Sequence, residues 1–324
     1  MMAAADPPVI LALFNNGADT EAFRPLLNDL PGLLSIENPP AKERFAEKMV
    51  SLRLNPALVI LSSRLYPESR PELVAGLKAI FPVAEILLIT LATDPLPPLE
   101  QLAVDRIRHL LVTPADDEQE GIVSLQEAIL RLLVRTPWKL QDYVRPGSRI
   151  HEFPLISSNQ KEALIAYLEG AIIGDSQEME LLRQRAALLA DEMVENALYG
   201  APQGKDGRKL YCKGEERIIN VDEKIFFRFA FDGETLAMEV VDGWGTLAPE
   251  MVVDFLARNQ SGMDEVSDEV GGRGLFIIWR FMDHLHVNIR PGMQTVLGGH
   301  LKAVSTHDCE SPRGFSISTD YQSA

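Results

Sequence analysis

Gly271-Gly272-Arg273-Gly274-Leu275-Phe276-Ile277-Ile278-Trp279-Arg280-Phe281-Met282-Asp283 is the stretch on which the reading of this chain turns. Three glycines stand just before an apolar run with helical spacing: Leu275, Ile278, Trp279 and Met282. A glycine-rich turn that opens a helix leaves backbone N–H groups with no partner inside the helix. Those donors, at the positive end of the helix dipole, suit a phosphate. Glycines also serve as plain turns or close-packing points, so the company this stretch keeps has to decide between the two.

Composition narrows the field first. A length of 324 residues suggests about two domains. A hydrophobic fraction of 46% is ample for real cores. The 31 Lys and Arg against 47 Asp and Glu leave a net charge of −16. That balance argues against binding a nucleic-acid backbone or docking to an anionic membrane. Two cysteines, Cys212 and Cys309, cannot build a disulfide framework and are read as reduced thiols. The sequence has no apolar run of about 18 residues, and its N-terminus lacks the basic start of a secretory signal. A cytoplasmic location is the expectation.

From residue 8 to about 134, short β runs alternate with amphipathic segments. Val9–Phe14, Ala57–Leu61, Glu85–Thr90 and His109–Thr113 read as buried strands. A stretch from about Thr20, Pro71–Ile80 and Leu125–Leu133 read as helices. This alternation predicts a parallel, doubly wound α/β sheet. The order resembles the receiver domain of response regulators: Pro56–Ser62 looks like its phosphoacceptor strand, Thr90 its switch threonine, and Thr113-Pro114 its Lys-Pro. That resemblance implies a flavodoxin-like domain over 1–135, but its chemistry is missing. Asn15 and Asn16 follow the first strand, with no carboxylate until Asp19. Ser62 or Ser63 stands at the nucleophile position, and Thr113 replaces the lysine. Mg²⁺ loses its anionic oxygen ligands, and a serine without an activating base is a poor acceptor. The expectation is a pseudo-receiver: a docking surface that is not phosphorylated.

Between Thr136 and Ile156 the periodicity stops, and Pro137, Pro146, Gly147 and Pro154 punctuate a predicted linker, 136–156. Its His151-Glu152-Phe153-Pro154 superficially resembles a histidine-kinase phosphoacceptor box. That histidine would need a long helix, and Pro146-Gly147 and Pro154 break one on both sides. His284 and His286 show no metal spacing and are expected at the surface or at a strand edge.

The second half, 157–324, begins with a helix over Ser157–Ala171. A second helix is capped at Asp175-Ser176 and runs to about Tyr199. Near its end Glu192 and Asn196, four apart, share one face. Taken alone, that pair fits a solvated polar surface as well as a site. Ile225–Phe231 and Leu236–Val241 alternate like paired strands around Asp232-Gly233. The second of them delivers Asp242-Gly243-Trp244-Gly245. A helix-compatible part from Pro249 to Arg258, the glycine turn, and a closing hairpin of Leu285–Arg290 with Gln294–Ala303 complete the reading.

Glu192-x-x-x-Asn196-Ala197, then Val241-Asp242, then Gly271-Gly-Arg-Gly-Leu-Phe276 with Met282-Asp283, resembles the GHKL (Bergerat-fold) ATPase family over about residues 157–305. The Leu-Phe form and the following Met-Asp are most similar to the anti-sigma-factor serine kinases. The resemblance implies an α+β ATPase-like C-terminal domain that binds ATP or ADP with Mg²⁺. In that frame Glu192 is the general base and Asn196 the Mg²⁺ ligand. Asp242 accepts the adenine amino group, and Gly271, Gly272, Gly274 and Leu275 form the phosphate turn. Arg273, between those glycines, is placed to contact phosphate. One departure is plain: the family's Asp-x-Gly-x-Gly becomes Asp242-Gly-Trp244-Gly245-Thr246. Trp244 either stacks on adenine or fills the pocket from within. The insertion Gly200–Glu223 is also foreign to a minimal kinase of this class.

Two functions stay open on these residues. One is a cytoplasmic bacterial signalling regulator whose anti-sigma-type domain binds ATP and transfers phosphate to a serine of an antagonist protein in a partner switch. The other is a non-catalytic scaffold that uses nucleotide as a structural switch or not at all. A histidine kinase with its own receiver would require phosphate on His151. Protein partners are expected, a sigma factor or an anti-sigma antagonist among them, and a homodimer is compatible with the sequence.

Overall fold

Among the described residues, eleven strands form one mixed sheet in the order β2-β1-β3-β4-β5-β11-β9-β10-β8-β7-β6. The computed structural model describes residues 8–27, 30–39, 54–65, 72–95, 97–113, 124–261, 273–304 and 312–320. The first five strands are β1 (Ile10–Phe14), β2 (Leu33–Glu37), β3 (Leu58–Ser62), β4 (Glu85–Leu91) and β5 (His109–Thr113). All pairings among these five are parallel. Runs such as Ile10-Leu-Ala-Leu-Phe14 and Leu58-Val-Ile-Leu-Ser62 are buried along their whole length. A sheet covered on both faces needs such uninterrupted apolar strands. The covering helices are α1 (Gly17–Leu27), α2 (Glu72–Ile80), α3 (Leu99–Val104) and α4 (Leu125–Leu133). Ser124 caps α4 by accepting the Glu127 N–H.

The second half contributes β6 (Ile150–Pro154), β7 (Phe226–Phe231), β8 (Thr235–Asp242), β9 (His284–Arg290), β10 (Gln294–Lys302) and β11 (Gly314–Thr319). Its helices are α5 (Lys161–Ala171), α6 (Gln177–Glu195), α7 (Pro249–Ser261) and α8 (Arg273–Phe281). Its strands pair antiparallel, except that β11 runs parallel to β9. The two halves are not separate sheets. β11 lies between β5 and β9, pairing antiparallel with β5 at Phe315–Leu110 and Ser316–His109. Nearby, the Ile317 N–H donates to Arg108 O at 2.8 Å, Arg108 reaches Glu250 at 3.1 Å, and α3 packs on α7.

Strand alternation sorts the side chains onto two faces. Leu236, Met238, Val240, Leu285, Val287, Leu297 and Phe315 point towards α5–α8 in one core that continues across both halves. The opposite face carries α1, α4 and residues 138–144.

Two expectations fail here. The predicted linker is structural. Trp138, Leu140 and Tyr143 are buried, and Ile150–Pro154 pairs with β7 as the edge strand. An edge strand half open to water loses the clean alternation that would have revealed it, and it tolerates Pro154 at its end. His151 therefore lies on a strand, stacked on Phe229 with ring centroids 4.7 Å apart. The histidines fail the other way. His109, His284, His286 and His300 are all buried, not at the surface. They lie on the face away from α5–α8, and His284, His286 and His300 pack against Trp138 or Tyr143. The Tyr143 hydroxyl is 3.0 Å from His284 Nδ1 and 3.1 Å from His286 Nδ1, and can donate to one ring while accepting from the other.

Candidate functional site

Ser176 starts α6 by accepting the Met179 N–H, and the helix keeps Leu182, Ala186, Leu189 and Met193 in the core. After Glu195 it widens into a π-helical turn, Asn196–Gly200. Such turns are frequently found at functional positions. Glu192 and Asn196 thus leave the end of α6 on one side, where the start of α8 meets them. A Cβ placed on Gly274 would lie 2.5 Å from Glu192 Oε2 and 3.3–3.4 Å from the Asn196 amide. The glycine is what allows this approach.

Asp242 ends β8 on the same face as Met238 and Val240, which aims it at the helices. It is 5% exposed, and its Oδ1 accepts the backbone N–H groups of Trp244 and Gly245 at 2.9 and 3.3 Å. Burial pushes its carboxyl up to about 6, against the pull of those two N–H donors. Burial also raises Glu192, opposed by Lys213 and Arg273 and reinforced by Glu195 and Asp191.

Asn196, Asp242, Leu275, Phe255, Thr295 and Lys209 line a cavity of ≈ 190 Å³ between α6, α7, α8, β8 and β10. Its wall is mainly apolar, with one buried carboxylate, two amides, Asn196 and Gln203, and one ammonium. That is the mix of a small-molecule site.

Of the residues singled out in the sequence, Glu192, Asn196 and Gly274 meet at one point, and Asn196, Asp242 and Leu275 line the cavity. Arg273 is the exposed first residue of α8. Gly271 and Gly272 lie outside the described residues. Trp244 is half-buried and does not line the cavity. Gly245, at φ +58°, packs under the turn between β9 and β10, where a side chain would strike the backbone of Met293 and Gln294. The sequence reading missed Lys209, Thr295, Gln203 and Phe255 as lining residues. Lys209 sits in a polar insertion with no periodicity, so nothing local marks it.

No family model and no curated protein matches this chain. Among solved structures it is similar to a GCN5-related glucosamine N-acetyltransferase region of a fungal multi-domain GH3 beta-N-acetylglucosaminidase. That likeness has a TM-score of 0.27 and 14% identity over 74% of this chain. This chain spans 25% of that one, and a likeness so low carries no argument. No helix among the described residues is long and apolar enough to cross a membrane.

A second polar cluster sits at the carboxyl ends of the parallel strands. Arg64 forms a bidentate pair with Asp94 at 2.8 and 3.1 Å, and its Nη1 lies 3.6 Å from the fully buried Asp19. Ser63 donates to the Thr90 hydroxyl at 2.9 Å, and Thr113 to Thr90 O at 3.2 Å.

Proposed function

We propose that the cavity beside α6 binds an adenine nucleotide, in a C-terminal half of the GHKL type closest to the anti-sigma-factor serine kinases. The observation that carries this reading is the meeting of Glu192, Asn196 and Gly274 at one end of a cavity whose floor holds Asp242. A buried carboxylate that accepts hydrogen bonds suits an amino group on a flat heterocycle. The apolar wall suits its ring.

Asn196 offers a neutral oxygen and Glu192 an anionic one, donors of the hard type that Mg²⁺ takes. Asn196 would hold the ion, which would neutralise phosphate charge during transfer. Glu192, kept partly protonatable by burial, would accept the proton of an incoming hydroxyl. The acceptor in this reading is a serine on a protein antagonist, and the chain acts as a partner-switching regulator.

The parallel half fits a pseudo-receiver. Arg64 stands between Asp19 and Asp94, and a fixed guanidinium there leaves no need for a divalent cation. That feature also favours a second reading, in which the whole chain is a non-catalytic scaffold and nucleotide is only a structural switch.

Calorimetric titration with ATP and Mg²⁺, beside Asn196→Ala, tests the binding reading. Saturable heat that disappears in the variant supports it, and no heat with the native chain removes it. Incubating the saturated protein with labelled ATP and candidate antagonists then separates kinase from scaffold.

A further inference from the structure

The insertion after the π-helical turn is bolted to the end of α6. The buried Arg217 pairs with Glu223, donates to Leu198 O at 2.8 Å and lies over the Tyr211 ring at 3.6 Å. The Tyr199 hydroxyl donates to Glu215 O at 2.7 Å. Residues 201–217 are therefore held as a wall beside Asn196.

This wall brings two ammonium groups to an acidic neighbourhood. Lys209 is the one cation among the cavity-lining residues, and it has no ion-pair partner among the described residues. Lys213 is exposed, reaches Glu195 Oε2 at 2.5 Å and acts on Glu192 through space. Lys161 is already committed to Asp191 and Glu195, at 2.6 and 2.7 Å. With Asp191, Glu192, Glu195 and Asp242 gathered here and a net charge of −16, a polyphosphate would be repelled unless fixed cations met it.

We propose that residues 201–217 form the phosphate-binding wall of this cavity, with Lys209 as its anion contact and Lys213, paired with Glu195, offsetting the carboxylates beside it. The site would then take adenosine di- or triphosphate in preference to the nucleoside. The inference rests on the nucleotide reading given above and deepens it.

The test uses the 324-residue chain, stripped of nucleotide, in calorimetric titrations with adenosine, ADP·Mg²⁺ and ATP·Mg²⁺. Lys209→Ala with Lys213→Ala is expected to weaken ADP and ATP roughly tenfold or more while adenosine binds as before. Arginine at both positions is expected to restore the loss to within about threefold, and the loss should shrink as salt rises. If ATP and adenosine weaken together, or ATP binds the variant as it binds the native chain, the proposal fails. Should the double variant not melt cooperatively, Lys209→Gln alone gives the same comparison. A native chain that binds none of the three ligands overturns both this inference and the nucleotide reading. A native chain whose binding needs Asn196 but ignores the lysines overturns this inference alone.

Discussion

Gly274 stands against Glu192 so closely that a Cβ on the glycine would lie 2.5 Å from the carboxylate oxygen. The start of α8 and the end of α6 thus meet at Gly274 and Glu192. A Cβ at 274 would meet the far end of a flexible side chain, so in Gly274→Ala Glu192 swings aside at a small cost to stability, about 1 kcal/mol or less. A near-native melting temperature and a loss of nucleotide affinity are the expected results. Unchanged ADP binding would mean that the approach of Glu192 to Gly274 plays no part in the site.

Asp242 gives a test in which stability and binding move in opposite directions. A buried acid raised from 3.8 to about 6 loses stability as pH rises between those two values, and the loss is complete above them. Asp242→Asn keeps an oxygen for the Trp244 and Gly245 N–H groups and removes the charge. It should melt higher at pH 7, by an amount on the order of 1–3 kcal/mol, while nucleotide affinity falls at least about tenfold. If the melt drops at pH 7, burial is not the controlling cost.

The buried histidines should make the protein acid-sensitive. Burial lowers His109 to about 3 and His300 to about 4, and takes His284 well below its ordinary value. Because each is depressed in the folded state, its stabilising share is fully present above about 6.5 and is lost as pH falls from there. Each histidine contributes a slope of about 1.4 kcal/mol per pH unit. Denaturant melts from pH 7 to 5 should show stability falling steeply, and His300→Gln should flatten the slope by one proton. A flat profile in that window would contradict the burial of these rings.

Arg64 supplies the charge that Asp19 and Asp94 face. Arg64→Ala is expected to cost about 1 kcal/mol, a modest figure because the guanidinium is partly solvated. Millimolar Mg²⁺ should raise the melting temperature of the variant and leave the native chain unchanged. Equal responses in both would show that the arginine does not stand in for a metal.

Four of the five strands of the parallel half were legible because short apolar runs have few other uses, whereas β2, Leu33–Glu37, is a half-exposed edge strand whose residues make no such run. The capped start of α6 was legible from Ser176. What escaped depended on partners far away in sequence. His109, His284, His286 and His300 carry no common spacing, and three strands bring them together only through their order in the sheet. Trp138 and Tyr143 sit among prolines and look like connector, yet they pack on His284, His286 and His300. In the candidate site, Glu192 and Asn196 could be paired from their spacing within one helix. Lys209 reaches the cavity through an insertion whose course no local pattern fixes.

β11 has a consequence for synthesis. Gly314–Thr319 follow every other described element in the chain, yet they fill the sixth place in an eleven-membered order. As the polypeptide leaves the ribosome, its growing halves must wait side by side, each with a bare row of amides and carbonyls facing a gap. A chain that stops short of Gly314 would keep both rows open, so loss of β11 should yield material that seeks out other strands.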